Sequence, residues 1–390
     1  MIKDDFLSGI FYSVPNLRYY HSDKLSKVKL GNICSITGGY AFDSRKMKSK
    51  GEYQIIKMGN LYNGVLDLTR NPSFIDNPTK KELEYLIHKN DILITLTGTV
   101  NKKDYGYTVQ LNNPNNLLLN QRCALIKPLN INEKYLFYLL NSNNFFKQFY
   151  ASSTGGTGNQ TNVSINDMLN FNMYIANEKN QIIISEFLNK IDQRIETQIK
   201  IIKDLKMQRD HLIHSVFSSM NSKLLLITDI AEVYQPQTIS SEKFDEGAEF
   251  PVFGANGIIG HYEKYNHENE QICIACRGSS VGTINISKKK SWITGNSMVI
   301  NSDNYDDMID KKFLYYQLMF IDFYKYISGS GQPQITRESL KNLKIKVPSL
   351  AIQHSISNFL NHIDLKITIE AELLCQYQLQ KSYLLKNMFI

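Results

Sequence analysis

The chain has 390 residues, 42% of them hydrophobic, and carries a net charge of +7 from 44 Lys and Arg against 37 Asp and Glu. That length gives room for two or more domains with cores of their own. No apolar run reaches the 18 residues of a membrane-crossing helix, and Met1-Ile2-Lys3-Asp4-Asp5 lacks the basic-then-apolar form of a secretory signal. Five scattered cysteines (Cys34, Cys123, Cys273, Cys276 and Cys375) point to a reducing cytosol and not to a disulfide framework. The small positive excess permits a polyanionic partner without requiring one.

Residues 1–24 form an aromatic-rich lead-in around Val14-Pro15-Asn16-Leu17-Arg18. Residues 25–150 read as short strands and turns. The runs Ile55-Ile56-Lys57-Met58 and Asp91-Ile92-Leu93-Ile94-Thr95-Leu96 are β-branched and bounded by Gly, Asn and Pro. Residues 131–149 read as one helix with Tyr135, Leu136, Leu139, Leu140 and Phe146 on one side. A Gly-rich turn follows at Gly155-Gly156-Thr157-Gly158. Ser164 then opens a short helix with a capping-box-like start, and Met173-Tyr174-Ile175 is the last strand. The same order returns over roughly 224–347. Strands include Gln271–Cys276 and Trp292–Ile300. A helix follows at 312–326, then a turn at Gly329-Ser330-Gly331, a helix start at Thr336 and a strand at Lys344–Val347.

The two halves are copies of each other. Shifted by 172 residues, Ser185-Glu186-Phe187-Leu188-Asn189-Lys190-Ile191-Asp192 falls on Ser357-Asn358-Phe359-Leu360-Asn361-His362-Ile363-Asp364. Between 178–217 and 350–389, 12 of 40 positions are identical, too many for shared helical composition alone. A unit this long is a duplicated domain plus helix and not a solenoid repeat. The middle loops of the copies match in neither sequence nor length, as expected of one scaffold with two specificities.

Each copy ends in a seam of apolar residues spaced alternately four and three apart. The first seam is Ile184, Leu188, Ile191, Ile195, Ile202, Leu205, Leu212 and Val216, interrupted at Gln198 and Arg209. The second is Ile356, Leu360, Ile363, Ile367, Leu374, Tyr377, Leu384 and Met388, interrupted at the equivalent Glu370 and Lys381. An antiparallel pairing with Arg209 facing Glu370, and Gln198 facing Lys381, partners all four seam polar groups in one register. A helix of about 35 residues is about 50 Å long at 1.5 Å per residue.

The segment Gly331-Gln332-Pro333-Gln334-Ile335, the strand Leu340-Lys341-Asn342-Leu343-Lys344-Ile345-Lys346-Val347-Pro348 and the helix Ile356 to Asp364 resemble the specificity subunit of type I DNA restriction–modification systems. Val14–Arg18 and Lys29-Leu30-Gly31-Asn32-Ile33 resemble that family's start, so the likeness spans essentially the whole chain. Departures are mild: the usual Glu-Gln is Asn180-Gln181 in one copy and Ile352-Gln353 in the other, and Ala176 stands where the second copy has Pro348. The resemblance implies an α+β fold with a pseudo-two-fold internal repeat. Two similar target-recognition domains (25–177 and 221–349) would be separated by two long antiparallel coiled-coil helices (178–220 and 350–390). It implies a non-catalytic chain that reads a bipartite, asymmetric site on double-stranded DNA. Two methyltransferase subunits would carry S-adenosylmethionine and methylate adenine N6, restriction and motor subunits would join through them, and no cofactor would sit in this chain. Half-sites one helical turn apart lie ~34 Å from each other, within reach of such helices. The rival is a self-sufficient methyltransferase or nuclease using the same recognition domains.

Other motifs favour that non-catalytic reading. Asn71-Pro72-Ser73-Phe74 resembles the Asn-Pro-Pro-Phe loop of adenine N6 methyltransferases, but its third residue is wrong and no Gly-rich cofactor loop precedes it, so it reads as a turn. The two Gly-rich turns lack a P-loop Lys. Cys273 and Cys276 form one pair inside a strand, where zinc needs two pairs or added histidines. His211 and His214 lie three apart on the first long helix, and two histidines alone do not make a metal site. The candidate DNA contacts are Arg45, Lys46, Lys48, Lys102, Lys103, Tyr105, Arg122, Arg277, Ser279, Lys288, Lys289 and Lys290. Lysines suit phosphates, and Arg, Asn and Gln suit base edges. Arg277-Gly278-Ser279 corresponds by position to Thr97-Gly98-Thr99.

Overall fold

The computed structural model describes residues 25–62, 64–155, 159–328 and 333–389. The lead-in, Gly156-Thr157-Gly158 and the Gly329-Ser330-Gly331-Gln332 segment lie outside the described residues. The chain forms two compact units, one reaching to Thr197 and including Leu374 onward, the other Gln198–Leu373. The division therefore runs through the middle of both long helices.

The first unit is built on a four-stranded antiparallel sheet in the order Cys34–Gly38, Cys123–Pro128, Ile92–Thr95, Thr108–Gln110. All four residues of Ile92–Thr95 are buried, which explains an apolar run with no polar alternation. A second sheet sets Tyr53–Ile56 parallel to Leu117–Leu119 and antiparallel to Phe74–Ile75. Ser26–Lys29 pairs with Asn172–Ile175 and ties the start of the fold to its end. The second unit repeats the plan. Its four-stranded sheet runs Glu232–Tyr234, Ser297–Asn301, Ile272–Ala275, Ile284–Ile286. Phe250–Gly254 lies parallel to Trp292–Ile293 and forms a hairpin with Gly257–Tyr262. Lys223–Leu226 pairs with Lys344–Val347.

The single helix expected over 131–149 is two, Glu133–Leu139 and Asn143–Ala151. Ser142 breaks it by accepting a hydrogen bond from the Phe145 N–H at 3.2 Å, so the chain restarts with a new N-cap. The apolar period carries across the break and hides it. The matching helix expected at 312–326 likewise ends early. It spans Lys311–Phe320, and a 3-10 turn capped by Asp322 follows at Phe323–Tyr326.

The long helices are Glu178–Ser219 and Leu350–Met388. They run antiparallel, but in a different register from the one the seam suggested. Arg209 does not face Glu370. Its guanidinium donates to Asp364 Oδ1 at 2.9 Å, about 1.7 turns nearer the helix start. Lys381 does not face Gln198; its ammonium meets Asp192 at 2.5 Å. Gln198 and Glu370, each other's equivalents in the repeat, hydrogen-bond to one another. The expected pairing gave Lys381 only a neutral amide. The slide, six residues or about 9 Å, gives each cation an aspartate, which is worth more in a half-buried seam. Both aspartates also accept from a domain tyrosine: Tyr138 Oη to Asp192 and Tyr316 Oη to Asp364, each at 2.8 Å. Burial, and then the adjacent aspartate, pushes both phenols well above the ordinary tyrosine pKa.

Each domain is gripped by both helices. In the first unit Leu188 from one helix, and Leu384 and Phe389 from the end of the other, share a core with Tyr135. Tyr135 and Phe389 have ring centroids 5.3 Å apart. In the second unit Phe217 takes the corresponding place, 5.4 Å from Phe313, with Leu360 in the same core. Burying each such aromatic ring contributes roughly 1.5–3 kcal/mol. The repeated glutamine near each helix start is a staple. Gln353 Oε1 accepts the Asp310 N–H at 2.8 Å, and its Nε2 donates to the carbonyls of Met308 and Pro348. Gln181 does the same with the Asn132 N–H and the Ala176 carbonyl.

Two measurements check this packing. A double-mutant cycle of Arg209→Ala with Asp364→Ala should show a coupling of about 0.5–2 kcal/mol in denaturant unfolding, and Arg209→Ala with Glu370→Ala less than about 0.5. The opposite ranking restores the other register. Gln353→Ala should cost about 1–3 kcal/mol, because it strands a buried N–H and two carbonyls, whereas the exposed Ser355→Ala should leave the midpoint nearly unchanged.

Candidate nucleic-acid interface

In both units one short segment enters the main sheet in the same way. In the first unit the Asn120 N–H donates to Ile56 O, the Gln121 N–H to Tyr40 O, and Arg122 O accepts the Leu96 N–H, all at 3.0 Å. In the second, the Thr294 N–H donates to Phe253 O at 2.9 Å and Asn296 O accepts the Cys276 N–H at 3.0 Å. The strand after each segment keeps the frame: Cys123 pairs with Thr95 and Ser297 with Ala275. Glycines permit the close approach. A Cβ on Gly39 would lie 2.2 Å from Asn120 O, and one on Gly295 would lie 2.4 Å from Thr238 Oγ1. The backbone of each segment is therefore pinned while Gln121, Arg122 and Asn296 remain exposed.

Beside Arg122 the first unit has a cleft of about 380 Å³ lined by Lys57, Arg70, Asn71, Asn120, Gln121 and Arg122, with Phe42, Met47 and Met58 among its apolar walls. Three cations and no carboxylate line it. Buried Asn60 braces the far side, donating to the carbonyls of Asp67 (2.9 Å) and Arg70 (2.8 Å) and accepting the Lys57 N–H (2.9 Å). Lys57 Nζ donates to Ser73 Oγ at 2.6 Å. Arg70 lies 5.6 Å over the Tyr62 ring. Asn71 sits in the left-handed region at φ +46°, a turn conformation that asparagine tolerates.

The candidates from sequence fall into three groups. Some cations are already partnered. Arg45 is exposed but forked onto Asp43 at 2.8 and 3.0 Å, which also holds the Asp43 carboxyl below the ordinary carboxylate pKa. Lys48 pairs with Asp76 at 2.8 Å, and Lys103 lies 5.4 Å over the Tyr150 ring. Others are exposed: Lys46, Lys102, Arg122, Arg277, Ser279, Lys288, Lys289 and Lys290. Among the described residues, the side chains of Arg122 and Arg277 have no carboxylate partner. Lys290 adopts φ +51° in the turn that presents the three lysines. Tyr105 is a correction. It is 3% exposed, packed edge-on to Tyr150 at 5.3 Å and against Phe149, and its ring sits over Gly98. The basic loop around it made Tyr105 a candidate DNA contact; it is core.

Cys273 and Cys276 are buried in and just after their strand, and burial pushes the Cys273 thiol up to about 12. His214 packs on Phe320 with centroids 5.4 Å apart. Among the described residues no three His, Cys, Asp or Glu side chains are grouped to hold a metal. Lys57, Arg70, Asn120, Gln121 and Asn296 were missed in the sequence. Gln121 stands next to Arg122, but the cleft joins segments far apart in the chain, and Asn296 matches Arg122 only through backbone hydrogen bonds.

A family model described as the type I restriction modification DNA specificity domain matches residues 23–207 and again 222–376. The chain belongs to this family. Among its specificity-subunit relatives, that of the EcoprrI type I restriction enzyme of Escherichia coli is 26% identical over 166 residues, 42% of this chain. The match spans 41% of that relative's length. The putative MjaX specificity subunit of Methanocaldococcus jannaschii is 23% identical over 406 residues, covering 91% of this chain and 93% of the relative. In fold the chain is similar to the crystal structure of the S subunit from M. genitalium, with a TM-score of 0.60, 20% identity, and 97% and 98% of the two chains covered.

For a DNA specificity domain, the three-lysine turn makes a distinct prediction. Replacing Lys288, Lys289 and Lys290 by Ala should weaken binding to target and random duplexes alike. It should also lower the log–log salt slope by about 1 for each phosphate the lysines neutralise. A loss confined to target DNA would make them base readers.

Proposed function

We propose that this protein is the subunit that gives a type I restriction–modification complex its sequence specificity, with each unit reading one half of a bipartite, asymmetric site on double-stranded DNA. The observation that carries this reading is one DNA-specificity family pattern matching both halves of a single chain. The chain does no chemistry itself: its role is that of a non-catalytic specificity subunit. Two methyltransferase subunits supply S-adenosylmethionine and adenine N6 methylation, and restriction subunits join through them. Such docking finds support in the fold, which also resembles a structure from the complex assembly and conformational transition of the type I system, with a TM-score of 0.55 and 15% identity. The residues 25–177 and 221–349 serve as the two readers, with the long helices setting the unread spacer. The exposed cations Lys46, Lys102 and Lys288–Lys290 serve phosphates, and Arg122, Arg277 and Ser279 face the bases.

The two units share strand order but differ in their loops. The first carries the cleft behind Arg122, and the second builds its corresponding region from the Phe250–Tyr262 hairpin. Replacing residues 232–300 with the equivalent segment of a relative should change one half of the methylated site, mapped genome-wide, and leave the other half intact. A change in both halves, or in neither, refutes the two-reader reading.

A further inference from the structure

The pinned segments hold the same backbone position in the two units and fill it differently. Arg122 O accepts from the Leu96 N–H, and Asn296 O accepts from the Cys276 N–H, both at 3.0 Å. Both residues directly precede the strand that pairs with the central one, at Cys123–Thr95 and Ser297–Ala275. Arg122 and Asn296 are thus structural equivalents, although the shift between them is 174 (296 − 122) and not the 172 of the long helices. The residue after each donor is part of the same corner. It is Thr97 in the first unit, where its hydroxyl donates to Asn162 Oδ1 at 3.0 Å, and Arg277 in the second, which bridges to Gln334. Each corner therefore holds one arginine, but on opposite sides of the same hydrogen bond. Arg122 adjoins Thr97, and Arg277 adjoins Asn296.

Three features mark the corner as a reader. Its backbone is fixed by hydrogen bonds on both edges and by glycine contacts that allow no Cβ, so the side chains have a rigid origin. Arg122 and Arg277 are exposed cations with no carboxylate to hold them among the described residues, unlike Arg45 and Lys48. The cleft beside Arg122 is cationic and amide-rich, with no acid in its lining to repel a polyanion. The side-chain types differ in the way base recognition needs. An arginine fork matches the O6 and N7 acceptors of guanine, and an asparagine amide matches N6 and N7 of adenine.

We propose that this corner is the specificity-determining position of each unit, with Arg122 reading a guanine in one half of the target and Asn296 an adenine in the other, where Arg277 reads an adjoining guanine. This rests on the two-reader function and names the residues that carry it.

The test uses the full chain with its methyltransferase subunits and a duplex library randomised in both half-sites, with binding selection and mapping of methylated adenines as readouts. Arg122→Ala should lose about 5- to 150-fold discrimination at one G·C position of one half, the range of one bidentate pair, and leave the other half untouched. Arg122→Lys should keep the affinity for random DNA and the salt slope, yet lose the same discrimination, because an ammonium has no fork. Asn296→Ala should relax one A·T position in the opposite half. Both side chains are exposed, and an unchanged thermal midpoint separates these effects from unfolding. If Arg122→Ala weakens every sequence equally, Arg122 is a phosphate contact and the proposal falls while the two-reader function stands. If the unaltered protein selects no two-part site, the function itself falls.

Discussion

Each unit depends on one carboxylate. Asp192 and Asp364 are each shared between a tyrosine from the globular domain and a cation from the opposite long helix. One group thus fixes the helix to its domain and sets the register of the helix pair. The geometry is demanding, because the aspartate must face a phenol on one side and a lysine or arginine on the other. A slide of one turn, about 5.4 Å, would part each aspartate from its cation, leaving Lys381 without Asp192 and Arg209 with only its own neighbour Asp210. Apolar seams alone tolerate such slips. The mixed node does not.

The aromatic ends of the helices follow from that register. Phe389 reaches Tyr135 and Phe217 reaches Phe313, so each domain is closed by the far end of the helix that begins beside the other copy. The compact units therefore cut through the helices and not between helix and domain. A recognition domain lacking the opposite helix end would lose Leu384 and Phe389, or Ile213 and Phe217, from its core. The repeat is thus a unit of sequence, whereas each compact unit borrows about half of a long helix from the other copy.

On this constant frame the two corners vary. Hydrogen bonds with Ile56, Leu96, Phe253 and Cys276 hold the same backbone path, and glycines let the strands approach. The side chains of Gln121, Arg122 and Asn296 are exposed, so changing them costs the fold little, whereas buried Gly295 admits no Cβ. That separation between a pinned backbone and free side chains lets one domain be copied and then read a different sequence.

The duplication, the helix seams, the strands at Ile92–Thr95 and Ile272–Ala275 and the family were all legible in the linear chain, because each rests on local period or direct repetition. The break at Ser142 was not, since a side-chain cap interrupts a helix without interrupting its apolar period. Tyr105 was misread for a related reason: a basic flank says nothing about which face a ring turns to. The helix register was decided by Asp192 and Asp364, which lie inside the most strongly repeated run and look like ordinary surface acids. Their importance comes from Tyr138 and Tyr316, more than 45 residues away in sequence in each case. The equivalence of Arg122 and Asn296 likewise rests on backbone hydrogen bonds across strands. The sequence by itself determined what repeats and what kind of protein this is, because those are properties of residue order. Which charges meet, which rings are buried and which side chains stand free on a fixed corner depend on distances between segments far apart in the chain, and only the tertiary structure decided them.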